Sequence, residues 1–546
     1  WNDIWLNESF ATWMGNKAVD SWAPGQGYGN LTMRGGLGVM ANDAMVTARQ
    51  IREPIRSNHD IATAFDGITY QKGGAVLEMF ESWLGEEAFR EGVRLHMQRF
   101  AHDVADVNDF MQSLADGANR PDVVEAFRSF LFQPGVPLVT ADVDCSRNTP
   151  FVSLRQERYL PLGSEGDRDS TWSAPVCMAF GAGDGRERFC TLASLTETVV
   201  GLPTEQCPAW LMPNADGSGY YRFALDEDGW AALFENFDAL NTREALSAMG
   251  SLSAAYRSGD ATTDSLADAF RVLAAAADRE VATRPLGDLR TMHGRLAASE
   301  AAEAGIEAFV RNLYSARLAA IGRTPSDDEG IETRLLRPTL VNALAQLGRD
   351  GELRAWLTAG AEAYLAGDAP DPSALDPSLA GTALTVAVEE KDHAFARALL
   401  ERALAARDAT FRQRALSALA AAPDAETGAM MREHIGDDRL RDNEAIMIAF
   451  TQVGTAEQRV AMWDWVQANL DTLLPRIPTW RKGAIVNAGA GFCSAERAEE
   501  VKAFFADRMA DMEGGPRELA QTVERIRLCA ALKSAKSDEV TAYFTE

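Results

Sequence analysis

Histidine and positive charge are both scarce in this sequence. Its 546 residues include six histidines, His59, His96, His102, His293, His393 and His434. None belongs to a His-Glu-x-x-His pair, and His96 and His102 would lie roughly 240° apart on a helix, off any common face. Taken singly, each is a structural or exposed histidine more readily than a ligand. Lysine and arginine number 53 against 80 aspartates and glutamates, a net charge of −27. Binding a phosphate backbone needs a basic footprint, so this balance argues against a nucleic-acid partner. It suits solubility and ligands that carry a free amine. No apolar run reaches the ~18 residues of a bilayer span, so no transmembrane segment is expected in this chain. A Gly-x-Ser-x-Gly elbow and a phosphate-cradling glycine loop are also missing.

Six cysteines are present, none spaced as Cys-x-x-Cys, which excludes the common structural zinc and redox motifs. Cys145, Cys177, Cys190 and Cys207 share one region, and Cys493 and Cys529 form a distant pair. An even number in two clusters suggests disulfides and an extracytoplasmic compartment, against the alternative of six buried thiols. Cys177 and Cys190 flank a turn and could cross-link neighbouring strands, leaving Cys145 with Cys207. Within that group of four, three connectivities remain open.

The hydrophobic fraction of 46% and charged fraction of 24% are ordinary for a globular protein. Length alone predicts ~3 to 4 domains. Residues 1–137 read as helices with polar loops, among them an apolar face from Ala75 to Leu84 and a turn at Asp66-Gly67. The run Gln133-Pro134-Gly135-Val136-Pro137 breaks that pattern. Over 138–225 the segments become short and strand-like: Val152–Gln156, Trp172–Phe180, Arg188–Leu192 and Tyr220–Leu225. Turn clusters such as Gly181-Ala182-Gly183-Asp184-Gly185 separate them, which predicts a small antiparallel β-sandwich. Residues 226–546 are rich in alanine and leucine and read as short helices joined by brief loops. Stacked helical pairs are expected there, without a strict repeat period. The fold class is therefore multidomain and mainly α.

The first line, Trp1-Asn2-Asp3-Ile4-Trp5-Leu6-Asn7-Glu8-Ser9-Phe10-Ala11-Thr12-Trp13, predicts a helix. Its expected apolar stripe is Leu6, Phe10, Trp13 and Met14. Glu8 would point about 200° from that stripe, above Ala11, Thr12 and Gly15, small residues that would let another helix approach. By itself a glutamate so placed is a solvated side chain. The chain opens mid-pattern, without a methionine or a leader segment, and is expected to be the downstream part of a longer protein.

This line closely resembles the segment carrying the third zinc ligand in the aminopeptidase N family of zinc metallopeptidases, the gluzincin aminopeptidases. There a His-Glu-x-x-His helix supplies two ligands and a later glutamate the third. Glu8 matches that glutamate, and the histidines and general-base glutamate would lie ahead of Trp1. A second stretch, Phe65-Asp66-Gly67-Ile68-Thr69-Tyr70-Gln71-Lys72-Gly73, is similar to the family's Phe-Asp-x-Ile-Ser/Thr-Tyr-x-Lys-Gly. Tyr70 matches the tyrosine whose hydroxyl stabilises the tetrahedral intermediate. Alone, a tyrosine before a helix is as well explained by packing. Weaker likenesses follow at Phe130–Val139, with phenylalanine where the family has tryptophan, at Val152–Arg158 and Trp172–Val176, at Gly219-Tyr220-Tyr221-Arg222-Phe223 and at Asn241-Thr242-Arg243.

The resemblance implies the rear part of a thermolysin-like catalytic domain over 1–137, a β-sandwich over 138–225 and a HEAT-like helical domain over 226–546. It implies one Zn²⁺ per full-length subunit, with Glu8 as its ligand from this chain and Tyr70 as a catalytic residue. The expected activity is removal of N-terminal residues from peptides with a free N-terminus. The chain alone is expected to be inactive. A different class stays open, a non-catalytic relative using its helical array as a binding or scaffolding surface.

Overall fold

A computed structural model describes residues 1–146, 149–183, 185–367, 369–509 and 512–545. The chain divides into two units, Trp1–Val272 and Leu273–Glu546.

The first unit opens with helices: α1 (Ile4–Trp22), α2 (Leu31–Asp43) and α3 (Asn58–Ala64). A π-helical turn, Ile68–Lys72, runs directly into α4 (Gly73–Leu84), and α5 (Glu86–Arg99), α6 (Val107–Ala118) and α7 (Asp122–Leu131) follow. Capping is local and conventional: Asp106 accepts from the backbone N–H groups of Asn108 and Asp109 to start α6. As expected, α4 buries Val76, Met79 and Phe80, and Phe80 stacks on Phe127 of α7 with ring centroids 3.8 Å apart.

The expected stripe on α1 needs correction. Its buried residues are Trp5, Ser9 and Trp13, whereas Met14 is 42% exposed and Leu6 and Phe10 are only half-buried. The reason is close packing of α4 against α1. A Cβ added to Gly73 would lie 2.0 Å from Ser9 Oγ, so the serine takes the most deeply buried position, while Leu6 and Phe10 pack against the core from its edge. Glycines on α4 permit this approach. Ala11 and Gly15 of α1, the small residues beneath Glu8, are exposed.

Seven strands come next: β1 (Pro137–Asp144), β2 (Phe151–Arg158), β3 (Ala174–Ala182), β4 (Gly185–Ala193), β5 (Glu197–Gly201), β6 (Leu211–Met212) and β7 (Arg222–Ala224). They form a four-stranded sheet, β5-β2-β1-β7, and a three-stranded sheet, β4-β3-β6. All pairs are antiparallel except β1 with β7, which run parallel with Leu138 opposite Arg222. Val139 and Val152 of one sheet share a core with Val176 and Met178 of the other. β3 begins at Ala174, later than the run expected from Trp172, and β1 was not expected as a strand. Asp184 of the expected turn lies outside the described residues. Cys177 and Cys190 sit opposite each other on β3 and β4 and are disulfide-bonded, and Cys145 pairs with Cys207. The unit continues through α8 (Glu227–Glu235) and α9 (Thr242–Ser258), whose Asn241 and Glu244 form a capping box.

The second unit is helical throughout its described residues. Helix Gly351–Tyr364 packs on the next helix, Ala380–Glu390, that on Ala409–Ala420, and that on Asp442–Gly454, so from Ala380 onward alternate helices stack in a layer. One device recurs. Asp350 and Asp408 each cap a helix, and the arginine one turn on, Arg354 or Arg412, is buried. Each arginine donates to a carbonyl of the preceding helix end, Ala345 or Ala403, and pairs with a carboxylate of a later helix, Glu390 or Glu444. The array closes on itself: the last helix, Gly515–Thr545, returns to pack on Glu300–Ile321, where Gly305 leaves room for the Phe544 carbonyl. The third disulfide, Cys493–Cys529, ties that returning helix down. Among the described residues no cysteine is free and no helix is long and apolar enough to cross a membrane. Three disulfides accord with an oxidising environment.

Candidate active site

Glu8 and Tyr70 come from different elements and meet. Glu8 sits in the second turn of α1, half-buried, and Tyr70 occupies the middle of the π turn. The Tyr70 hydroxyl lies beside the Glu8 carboxylate, close enough for that carboxylate to act on its titration. Partial burial and the neighbouring Glu8 carboxylate, as acceptor and as negative charge, raise the Tyr70 pKa, which keeps the hydroxyl protonated and able to donate through neutral pH.

The π turn places Tyr70. Such a turn carries one more residue than an α-helical turn and is frequent at functional sites. Here its entry is fixed by Asp66, whose Oδ1 accepts from the N–H groups of Ile68 at 2.9 Å and Thr69 at 3.2 Å. Arg49 is nearly fully buried and holds Asp66 with two nitrogens, while its Nη2 also donates to Thr69 Oγ1 at 2.6 Å and to the Ala64 carbonyl. Beside Glu8, Ser9 Oγ donates to the Thr69 carbonyl at 2.5 Å. The neighbour of one candidate residue is thus bonded to the neighbour of the other. The exit is fixed by Lys72, whose buried ammonium pairs with Asp43 Oδ2 at 2.7 Å. Burial pulls the Lys72 pKa down, opposed by the attraction of Asp43.

The start of α1 is also tied. Arg52 Nε donates to Asp3 Oδ1 at 3.0 Å, and Asn2 Oδ1 accepts from the Ile55 backbone at 2.8 Å. The Trp-Asn-Asp opening therefore docks on the irregular Arg52–Ile55 segment. Along another side of α1 runs a cavity of about 1010 Å³ lined by Leu6, Phe10, His96 and Phe110. Neither Glu8 nor Tyr70 lines it, so its size does not mark the chemistry.

Among the described residues no three His, Cys, Asp or Glu side chains converge to hold a metal. His96 packs edge-on against Phe110, and His393 and His434 belong to the second unit. Glu8 offers a hard oxygen donor suited to zinc, but one carboxylate does not make a centre. Asp43, Arg49 and Ser9 were not singled out from sequence. No local spacing marks them, because their partners lie far along the chain.

Residues 1–130 match the Peptidase family M1 domain, and residues 210–528 match the ERAP1-like C-terminal domain. The chain belongs to the M1 aminopeptidase family. Its relatives include Aminopeptidase 2, mitochondrial, of Saccharomyces cerevisiae, 24% identical across 100% of this chain and 56% of the relative. Aminopeptidase M1 of Arabidopsis thaliana is 26% identical, over 97% of this chain and 61% of its own length. The Alanine/arginine aminopeptidase of Saccharomyces cerevisiae is 22% identical, over 100% and 63%. The chain thus spans less than two thirds of the length of these curated relatives. Both M1 segments singled out above, around Glu8 and Tyr70, fall within the residues that match the peptidase domain.

Proposed function

We propose that this chain is the C-terminal portion of a zinc-dependent aminopeptidase that removes N-terminal residues from peptides with a free N-terminus. In this reading Glu8 is the ligand this chain contributes to the zinc, and the remaining ligands come from sequence ahead of Trp1. Tyr70 is a catalytic residue. When bound, the ion supplies Lewis-acid polarisation and an acidified water. The Tyr70 hydroxyl would donate to the oxyanion that forms as the peptide carbonyl is attacked.

The observation that carries the proposal is the placement of the Tyr70 hydroxyl beside the Glu8 carboxylate, which brings together residues from two separate motifs. The same reading divides the chain into a catalytic rear part over 1–137, a β-sandwich over 138–225 and a helical domain over 226–546. It places the protein outside the cytoplasm, supported by three disulfides. The test is hydrolysis of an aminoacyl amide by the polypeptide that extends upstream of Trp1. Glu8→Ala should abolish both turnover and bound zinc, and retention of both would overturn the proposal.

A further inference from the structure

Asp43 and Lys72 form an ion pair that the proposed reaction does not use. Both side chains are fully buried. Asp43 is the last residue of α2, where the helix dipole disfavours a carboxylate, so it needs partners. It has three. Besides Lys72, its Oδ2 accepts from the Tyr220 hydroxyl at 3.0 Å, and its Oδ1 accepts from the Gly135 N–H at 3.0 Å. Lys72 closes the circle by donating to the Gly135 carbonyl at 3.2 Å, and its ammonium lies 5.5 Å from the Tyr220 ring centroid. Gly135 has φ of +104°, a conformation open to glycine, and so presents both its N–H and its carbonyl to the pair.

A buried ion pair is weak support for stability, since apolar residues of similar volume usually serve as well or better. Its directional bonds are what an apolar replacement would lose. Here they fix the exit of the π turn, two residues beyond Tyr70, to the segments that enter the two sheets' region at Gly135 and Tyr220. Arg49 and Asp66 fix the entry. A five-residue turn held at both ends leaves its central side chain little freedom.

We infer that Asp43 and Lys72 are positioning residues for Tyr70, setting where its hydroxyl points by anchoring the π turn to Gly135 and Tyr220. The inference rests on the reading of Tyr70 as the oxyanion donor, and its test separates the two. The 546-residue chain is labelled with ¹³C at the tyrosine ζ carbon, giving nine candidate signals. The Tyr70 signal is the one lost in Tyr70→Phe. In Asp43→Asn/Lys72→Met, which buries no unpaired charge, that signal should shift while those of Tyr159 and Tyr314 stay. In the active upstream-extended polypeptide the same pair should lower kcat by about 10- to 100-fold. KM should change by less than about twofold. Tyr220→Phe, which removes a single hydroxyl, should shift the signal and lower kcat in the same direction by a smaller factor, and it decides the matter if the paired variant does not fold. In a Tyr70→Phe background the paired substitution should cost less than about twofold more. An unmoved Tyr70 signal, or an equal loss of kcat with Tyr70 already removed, would overturn the inference. Full turnover in Tyr70→Phe would instead overturn the catalytic reading of Tyr70, leaving the spectroscopic result standing.

Discussion

Ser9 Oγ donates to the Thr69 carbonyl at 2.5 Å, and one residue away on each segment the Glu8 carboxylate lies beside the Tyr70 hydroxyl. The Ser9–Thr69 bond ties α1 to the π turn. It also couples stability to geometry, since neither element can slide without breaking that buried bond.

That packing is tight enough to be tested by one methyl group. Gly73→Ala places a Cβ 2.0 Å from Ser9 Oγ and should destabilise the chain by ~1 to 3 kcal/mol through overpacking. Adding Ser9→Gly removes the obstructing side chain and should recover part of the loss. Urea unfolding of Gly73→Ala, Ser9→Gly, the double variant and the wild type measures both steps. Additive losses would contradict the contact.

The disulfide Cys493–Cys529 closes a loop with a sequence separation of 36. Replacing both cysteines by serine should lower stability by ~2 to 4 kcal/mol. Mass spectrometry after alkylation should find no reactive thiol until the chain is reduced. Six thiols alkylated without reduction would count against both the disulfides and an oxidising compartment.

In the second unit, the Arg439 guanidinium and backbone N–H hold the Asp437 carboxyl down to about 2. The usual unfolded value is ~3.9. A depressed carboxyl adds stability that is fully present above the unfolded pKa and is lost as pH falls through the folded one. The contribution should therefore persist above about pH 4 and vanish toward about pH 2. Unfolding midpoints of wild type and Asp437→Asn should differ at pH 6 and converge near pH 2. A difference that grew on acidification would contradict the assignment.

Much of this organisation could be read from residues alone, and the exceptions have physical causes. Glu8 and Tyr70 were legible because each sits in a motif with its own local order. Asp43 was not: it ends an ordinary helix, and its partners Lys72, Gly135 and Tyr220 are brought to it only by tertiary folding. The stripe on α1 was misjudged because hydrophobic periodicity cannot register a glycine on another helix pressing against a serine. β1 escaped notice because it starts at Pro137, inside the run that breaks the helical pattern, although proline is tolerated at the first position of a strand. The disulfide pairs followed once β3 and β4 were in register, with Cys177 opposite Cys190.

One carboxylate is too little to hold zinc. Elemental analysis of the 546-residue chain after dialysis should find far less than one zinc per molecule. Stoichiometric, tightly held zinc would mean that this chain contains a centre other than the one proposed.

The central claim is that Tyr70 donates to the transition state beside a zinc held in part by Glu8. Its most direct test is steady-state hydrolysis of an aminoacyl amide by the zinc-loaded, upstream-extended polypeptide with Tyr70→Phe. Losing one such donor should lower kcat by about 10²- to 10³-fold. Zinc content should be unchanged, and KM should move by less than about threefold because the interaction forms only in the transition state. A kcat equal to that of the wild type, at full zinc occupancy, would contradict the account.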